Sequence, residues 1–186
     1  IRKAFSAKNS SDYIVSFDYS QIELRILAHY SNEKNLKKAF CQNIDIHNKT
    51  ASLIYAIDLN DVLEYHRRVA KIVNYSIVYG AGPFRISQEL KIPMKEAKII
   101  IENYFERYSG IKKYIENVID FGIKNDYVST LFGRRRNTIN LKSSNRNIVE
   151  AEKRAAINMP IQGTASELIK TAMINIFQKF QQFSIK

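Results

Sequence analysis

Helical periodicity is the feature that most restricts the fold of this chain. Apolar residues recur at helical spacing over most of its length, as in residues 94–108 and 111–125, which a Tyr-Ser-Gly break separates. Only two segments, residues 12–20 and 126–141, are rich in the β-branched and aromatic residues that favour strands. The second has a Gly at its centre and predicts a hairpin. We therefore predict an α+β fold that is predominantly helical.

Two further predictions concern where elements begin and end. Residues 12–20 are expected to form a buried strand that ends near Asp18 and is followed by a helix from Ile22. Near the C-terminus, Pro160 and Gly163 lie between two long helical patterns. We expect them to break or kink the chain, because proline removes a backbone donor and clashes with the preceding turn.

The helix predicted over residues 67–80 has two unlike faces. Arg67, Lys71 and Tyr75 follow one another at steps of four and lie on one stripe. The apolar and small residues of the opposite face are Val69, Ile72, Val73 and Ser76. An amphipathic surface helix with a solvated basic face has the same pattern. Two cations followed by an aromatic ring could instead hold a polyanion that ends in a planar group.

Charge favours an anionic partner. The 186 residues contain 29 Lys and Arg against 18 Asp and Glu, which gives a net charge of +11. Such a surplus is typical of nucleic-acid-binding proteins, although an AT-rich coding sequence also enriches lysine. The single cysteine, Cys41, cannot form an internal disulfide, and no apolar run approaches membrane-spanning length. Because the sequence begins at Ile1, we expect a piece of a longer protein. Since no apolar run is long enough to span a bilayer, we expect no membrane partner.

Several polar residues fit either a functional site or an ordinary structural role. Asp18, at the end of a strand, could bind Mg²⁺ or cap the next helix. His47 is ambiguous by itself. Three consecutive arginines in the predicted hairpin suit a phosphate backbone or solvated charge; they are Arg134, Arg135 and Arg136. A second polar set recurs at four-residue spacing near the C-terminus and consists of Arg154, Asn158 and Gln162.

The ordered combination of these segments resembles the family A, bacterial DNA polymerase I-like, DNA-directed DNA polymerases. Residues 18–31 resemble motif A of that family, and residues 67–80 resemble motif B. Further segments follow in the family's order and approximate spacing; they are residues 45–47, 104–116, 127–136, 142–145 and 151–170. The resemblance implies part of a right-hand fold. Residues 1–44 would belong to the palm, 45–145 to helical fingers with a basic hairpin, and 146–186 to a helical return to the palm.

The resemblance also implies a nucleotide site. Asp18 would bind both of two Mg²⁺ ions, with the Tyr19 carbonyl as a further ligand. Asp18 and Lys71 would be catalytic, since Lys71 would donate a proton to the leaving pyrophosphate. Arg67 and Lys71 would hold the β- and γ-phosphates, and Tyr75 would lie against the sugar and base. The residues implied to bind the deoxynucleoside triphosphate are Gln21, Glu23, His47, Arg67, Lys71 and Tyr75.

Contacts to DNA follow from the same resemblance. Glu23 would act as a steric gate that rejects ribonucleotides, and Tyr79 would stack near the templating position. The polar set near the C-terminus would contact template and primer in the minor groove, where acceptors are shared by all base pairs. The hairpin arginines would contact the backbone. The residues implied to contact DNA are Tyr79, Arg134, Arg135, Arg136, Arg154, Asn158 and Gln162.

The sequence departs from the family pattern in three places. Ser76 stands where the family usually has Gly, and Tyr75 where bacterial members mostly have Phe. The chain also ends before the family's His-Asp-Glu motif, which carries the second catalytic carboxylate. We therefore expect a fragment that covers motif A through the region before motif C. By itself, this fragment is expected to be inactive.

The function expected of the parent is template-directed transfer of deoxynucleotides to a primer 3′-hydroxyl in DNA replication or repair. Its partners would be primer-template DNA and deoxynucleoside triphosphates. The parent is expected to be a monomer in the bacterial cytoplasm, at the nucleoid, rather than in an organelle. Two alternatives stay open: a single-subunit RNA polymerase, against which Glu23 argues, and a non-catalytic nucleic-acid-binding module.

Overall fold

A computed structural model describes residues 4–9 and 13–182 of the chain. Its α-helices within these residues are α1 (Ile22–Ser31), α2 (Lys34–Cys41), α3 (Ile46–Tyr55), α4 (Glu64–Val78), α5 (Pro83–Leu90), α6 (Met94–Arg107), α7 (Ser109–Asn125) and α8 (Arg146–Gln182). Short 3-10 helices lie at Leu59–Asp61 and Ile139–Lys142, and the strands are β1 (Tyr127–Ser129) and β2 (Arg135–Asn137). The predominantly helical α+β fold is confirmed.

The hydrophobic core lies between α1, α3, α4, α6 and the start of α7. Its largest fully buried side chains include Leu24, Leu27, Ile46, Val69, Val73, Tyr104 and Ile111. Burying one such side chain contributes about 1.5–3 kcal/mol. The predicted inner face of α4 is confirmed, because Val69, Val73 and Ser76 are buried and Ile72 is half-buried. This packing fixes which face of α4 remains available for binding.

The predicted hairpin is confirmed and is fixed against α8. Strands β1 and β2 are antiparallel, with Val128 opposite Arg136. The Thr164 hydroxyl of α8 accepts a hydrogen bond from the Leu131 N–H at 3.0 Å and lies 3.0 Å from the Tyr30 hydroxyl of α1. One threonine therefore links the hairpin, α1 and α8.

Of the predicted break or kink at Pro160 and Gly163, the break is wrong, because α8 runs unbroken from residue 146 to residue 182. Proline deprives the Ala156 carbonyl of its usual i+4 donor. Both Ala156 and Pro160 are buried, and the Tyr114 hydroxyl donates to the next carbonyl, that of Ile157, at 3.3 Å. Tertiary packing thus maintains a helix that local propensity disfavours.

The predicted buried strand at 12–20 is also wrong where the structure describes it; residue 12 lies outside the described residues. Residues 13–19 have no regular secondary structure, and Tyr13 and Phe17 are 88% and 72% exposed. A strand needs a neighbouring strand that forms hydrogen bonds with its backbone N–H and C=O groups. In the described part of the chain, the two strands pair only with each other.

The C-terminal half of α8 carries an exposed apolar strip. Its members are Ile169, Met173, Ile176, Phe177 and Phe180. Phe17, Asp18 and Tyr19 lie across from this strip, and together they line a groove of about 700 Å³. In the described ranges, no helix combines the length and apolar character needed to cross a membrane.

Candidate active site

The stripe predicted on α4 lies on the side of the helix that is not packed into the core. Lys71 is exposed, and Arg67 and Tyr75 are half-buried. Leu63 precedes the helix, and its N–H donates to Nδ1 of His66 at 3.2 Å, which satisfies one polar group at the first turn. We call Arg67, Lys71 and Tyr75 together the α4 stripe. Its two cations and one ring are available to a ligand along about two turns of helix.

Arg67 is held by the start of α3. Its Nη2 donates to Oδ2 of Asp45 at 2.9 Å. The other oxygen of Asp45 caps α3 by accepting from the N–H groups of His47 and Asn48, at 2.8 and 2.9 Å. Burial acts to raise the pKa of the Asp45 carboxyl, but these hydrogen bonds and Arg67 outweigh it and lower the pKa. Asp45 therefore stays ionised and fixes Arg67 at the N-terminal end of the stripe.

His47 lies against the same stripe from α3. The residue is 3% exposed, and its ring centroid is 5.8 Å from that of Tyr75. Burial lowers the pKa of the imidazole; the charge of Asp45 opposes this, while Arg67 and Lys71 lower it further. The ring is therefore neutral at pH 7, and it can donate or accept a hydrogen bond without adding charge.

The two motif-like segments meet at the C-terminal end of the stripe. Burial raises the pKa of the Tyr75 hydroxyl, and the nearby negative charges of Glu23 and Asp18 raise it further. The Tyr79 hydroxyl donates to Oε2 of Glu23 at 3.1 Å. Gln21 precedes α1 in a left-handed conformation, with φ of 54°, and so starts the helix that carries Glu23. Residues 18–23 thus border the end of α4.

Residues of α8 flank this end of α4 from another side. Gly80 has φ of +64°, and a Cβ there would lie 2.9 Å from the Cα of Arg154. Nδ2 of Asn158 donates to the Val78 carbonyl at 3.4 Å, and Gln162 hydrogen-bonds the Tyr79 hydroxyl. Because α8 is continuous, the predicted minor-groove set lies on one face of a single helix.

The three hairpin arginines have different surroundings. Nε of Arg134 donates to Glu167 at 3.1 Å, and its Nη2 donates to the Gly163 carbonyl at 3.1 Å. Arg136 forms an ion pair with the buried Glu152. The guanidinium of Arg135 lies 4.3 Å from the centre of the Tyr127 ring. Among the ion pairs of the described residues, only those of Arg134 and Arg136 involve this hairpin's arginines.

Asp18 and Tyr19 carry oxygen atoms of the kind that Mg²⁺ binds. Both residues are exposed, and Asp18 lies near Tyr75 at the end of the α4 stripe. In residues 4–9 and 13–182, no cluster of three or more His, Cys, Asp or Glu side chains could enclose a metal. Mg²⁺ commonly takes one or two carboxylates and completes its shell with phosphates and water. Asp18 and the Tyr19 carbonyl fit such a shared site, not an all-protein cage.

Two residues of this region were not singled out from the sequence. Asp45 is a helix cap, and an Asp directly before a helical pattern signals that role. Asn74 is fully buried on the inner side of α4, and its Nδ2 lies 3.2 Å from Nδ1 of His47. The signal for Asn74 was an amide within an otherwise apolar face, because buried polar groups need partners.

The family model for DNA polymerase family A matches residues 1–186, so the chain belongs to that family.

Its curated relatives include bacterial DNA polymerases I. The chain is 43% identical to DNA polymerase I of Caldicellulosiruptor bescii and 41% identical to the thermostable DNA polymerase I of Thermus aquaticus, over 100% of its length and 22% of theirs. It is 42% identical to a solved structure, the POL domain of Pol1 from M. smegmatis in complex with DNA primer-template and dNTP. That match has a TM-score of 0.86 and covers 91% of this chain and 30% of the other. The chain thus spans about a fifth of the curated relatives' length.

Proposed function

We propose that this chain supplies the nucleotide-binding part of a template-directed DNA polymerase, which adds deoxynucleotides to a primer 3′-hydroxyl. The observation that carries the proposal is the meeting of the α4 stripe with Asp18 and Glu23. Two cations, an aromatic ring and two carboxylates are thereby brought to one exposed surface of a family A chain. This combination is suited to a nucleoside triphosphate, which has an anionic end and a planar end.

The triphosphate would lie along the α4 stripe with its phosphates toward Arg67. Arg67 presents a forked cation that Asp45 already orients, so little of its side-chain entropy is lost on binding. Lys71, one turn further along, contacts the same phosphates and donates a proton to the leaving pyrophosphate. Tyr75 packs against the sugar and base. His47 adds a neutral hydrogen bond beside the phosphates.

Glu23 would select the sugar of the incoming nucleotide, and Tyr79 would stack near the templating position. The hydrogen bond from Tyr79 holds the Glu23 carboxylate beside the end of α4. A carboxylate fixed at the sugar crowds a 2′-hydroxyl and so rejects ribonucleotides. Gln21 lies just before this carboxylate and assists at the triphosphate.

Asp18 and the Tyr19 carbonyl would contribute to the binding of Mg²⁺. Two such ions, when bound, supply charge stabilisation at the attacking and leaving oxygens. The chain's own contribution is to hold a carboxylate at the end of the stripe that faces the primer.

Primer-template DNA would lie against α8 and the hairpin. Arg154, Asn158 and Gln162 are aligned on one helix face next to Tyr79, which suits contacts to the minor groove. In the parent, residues 1–44 would belong to the palm, 45–145 to the fingers and 146–186 to the return to the palm. Since the relatives are bacterial, we assign the parent to the bacterial cytoplasm, at the nucleoid, as a monomer in replication or repair.

The test is a chimaera in which this chain replaces the matched segment of the Thermus aquaticus relative, to which it is 41% identical. We expect the chimaera to extend a DNA primer with deoxynucleotides in the presence of Mg²⁺. Lys71→Ala should lower the extension rate by about 10²-fold or more, because a general acid is lost. The measurement is single-turnover primer extension at saturating nucleotide.

Lys98→Ala is the matched control, since Lys98 is an exposed lysine of α6; it should leave the rate unchanged. A chimaera that binds DNA without extending it would favour the non-catalytic binding module. A preference for ribonucleotides would favour the RNA polymerase alternative. Equal rates for Lys71→Ala and Lys98→Ala would contradict the role given to the stripe.

A further inference from the structure

A chain of buried polar groups runs behind the α4 stripe. It joins His47 and Thr50 of α3 to Asn74 of α4 and to Tyr108, which follows α6. Thr50, Asn74 and Tyr108 are each 0% exposed, and His47 is 3% exposed. Polar groups this deep in a core are retained at a cost unless each is paired. Their pairing therefore determines which nitrogen of His47 carries a proton.

Asn74 is the branch point of this network. Its Nδ2 lies 3.2 Å from Nδ1 of His47 and 3.1 Å from Oγ1 of Thr50. An amide NH₂ group has two hydrogens and no acceptor capacity, so it can serve both partners only as a donor. With Nδ2 turned toward the ring, Nδ1 of His47 accepts; the Thr50 hydroxyl also lies 3.3 Å from Oδ1 of Asn74 and can donate to that oxygen. The Thr50 hydroxyl lies 2.9 Å from that of Tyr108 and completes the chain.

The surroundings of His47 agree with a neutral ring. Asp45, Arg67, Lys71 and Tyr75 are the charged or titratable groups beside it, and burial together with the two cations lowers the pKa of the imidazole. A neutral imidazole that accepts at Nδ1 carries its proton on Nε2. The two ring nitrogens point in nearly opposite directions, so Nε2 is directed away from the buried Asn74.

We infer that Asn74 is a positioning residue: its amide fixes His47 as the neutral tautomer protonated on Nε2 and turns that N–H away from the core. Asn74 itself does not touch a ligand. The N–H of His47 then serves as a neutral donor for a phosphate oxygen beside Arg67 and Lys71; this last step rests on the proposed function. A neutral donor adds direction to a site in which two cations already supply charge.

The tautomer is measured by ¹⁵N NMR of the imidazoles in the 186-residue chain, at a pH above the ordinary histidine pKa of 6.5. His47 should show an unprotonated Nδ1 and a protonated Nε2. His66 provides an internal reference, because its Nδ1 accepts from the Leu63 N–H at 3.2 Å. His47→Gln identifies the signals of His47. A wild-type His47 protonated on Nδ1 would overturn the inference, whatever the variants do.

Asn74→Asp is the diagnostic variant, because it keeps the shape of the side chain and replaces the donor by an acceptor. We expect Nδ1 of His47 to become protonated and the pKa of the ring to rise, because a carboxylate would then face it. Asn74→Ala should instead give a mixture of both tautomers. Unchanged imidazole shifts in both variants would contradict the positioning role.

Nucleotide binding separates this inference from the proposed function. The probe is a deoxynucleoside triphosphate with Mg²⁺, titrated into the wild-type chain while the His47 signals are followed. A change at Nε2 with Nδ1 unaltered is expected. Absence of any binding, with the tautomer as inferred, would count against the proposed function of the stripe and leave the role of Asn74 standing.

Discussion

The packing around Gly110 leaves no room for a side chain. It lies in the first turn of α7, and a Cβ there would be 2.8 Å from Oε2 of Glu33 and 2.9 Å from the Ser31 carbonyl. Glu33 is itself buried and accepts from the N–H groups of Gly110 and Asn35, at 2.8 and 3.1 Å. This carboxylate therefore joins the start of α2 to the start of α7.

Gly110→Ala should lower the free energy of unfolding by about 1–3 kcal/mol, the usual range for overpacking. The reason is that the added methyl group would clash with Oε2 of Glu33, which accepts from the Gly110 N–H, and with the Ser31 carbonyl. Urea denaturation followed by circular dichroism measures the change. Gly82→Ala is the matched control, because nothing lies within 4 Å of a Cβ at Gly82. Similar midpoints for the two variants would refute the close contact at Gly110.

The hairpin is attached to α8 by ion pairs of its arginines. Arg134 and Arg136 are paired with carboxylates of α8, and Arg135 is not paired in this way among the ion pairs of the described residues. Glu152 is only 6% exposed, so removal of Arg136 leaves a buried carboxylate without its cation. We therefore expect Arg134 and Arg136 to hold the hairpin in position, while Arg135 is available to a DNA phosphate.

Single alanine substitutions should separate these roles. Arg135→Ala should reduce the magnitude of the slope of log affinity for DNA against log salt by about one, with the free energy of unfolding unchanged. Arg136→Ala should lower the free energy of unfolding by about 1–3 kcal/mol, because the buried Glu152 loses its cation and keeps only the hydrogen bond from Asn140. The measurements are fluorescence anisotropy with duplex DNA at several salt concentrations and urea denaturation. A salt slope insensitive to Arg135 would make that residue surface charge.

Elements whose hydrophobic pattern is strong were predictable, and those that depend on remote contacts were not. The period of residues 67–80 predicted both faces of α4, since Val69 and Val73 pack inward. The break predicted at Pro160 does not occur, because burial of Ala156 and the hydrogen bond from Tyr114 to the Ile157 carbonyl stabilise the helix there. Tyr114 is remote in sequence, so no local pattern reports this contact. Residues 12–20 have strand-forming side chains, but a strand also depends on a neighbouring strand, which no local pattern reports.

The candidate site was predictable in part for the same reason. Arg67, Lys71 and Tyr75 share a helix, so their alignment follows from spacing alone. The contacts of this stripe with Asp45, His47 and Asn74 join different helices, and no spacing rule predicts them. These contacts exist only in the tertiary structure. The roles of these residues in binding remain predictions.

At the scale of the whole molecule, the chain spans about a fifth of the length of its polymerase relatives and has a net charge of +11. A surface of this charge attracts DNA over a distance of about one Debye length, roughly 8–10 Å at physiological salt. Attraction of this kind gives binding without catalysis. Binding and extension should therefore be separable in this chain.

We expect the isolated 186-residue chain to bind duplex DNA and to give no primer extension with Mg²⁺. The reason is that Asp18 alone cannot hold two metal ions in line with the primer and the nucleotide. Gel-based primer extension measures this, with the chimaera described above as the positive control. Sustained Mg²⁺-dependent extension by the isolated chain would show that the residues present suffice for catalysis.

The apolar strip on the C-terminal half of α8 has a consequence for the lifetime of the protein in a cell. Met173 and Phe177 are 64% and 62% exposed, and such contiguous apolar surface is uncommon on monomeric proteins. Chaperones and proteases of the quality-control system recognise surfaces of this kind. Cellular abundance will accordingly depend on how much of the strip is covered after synthesis.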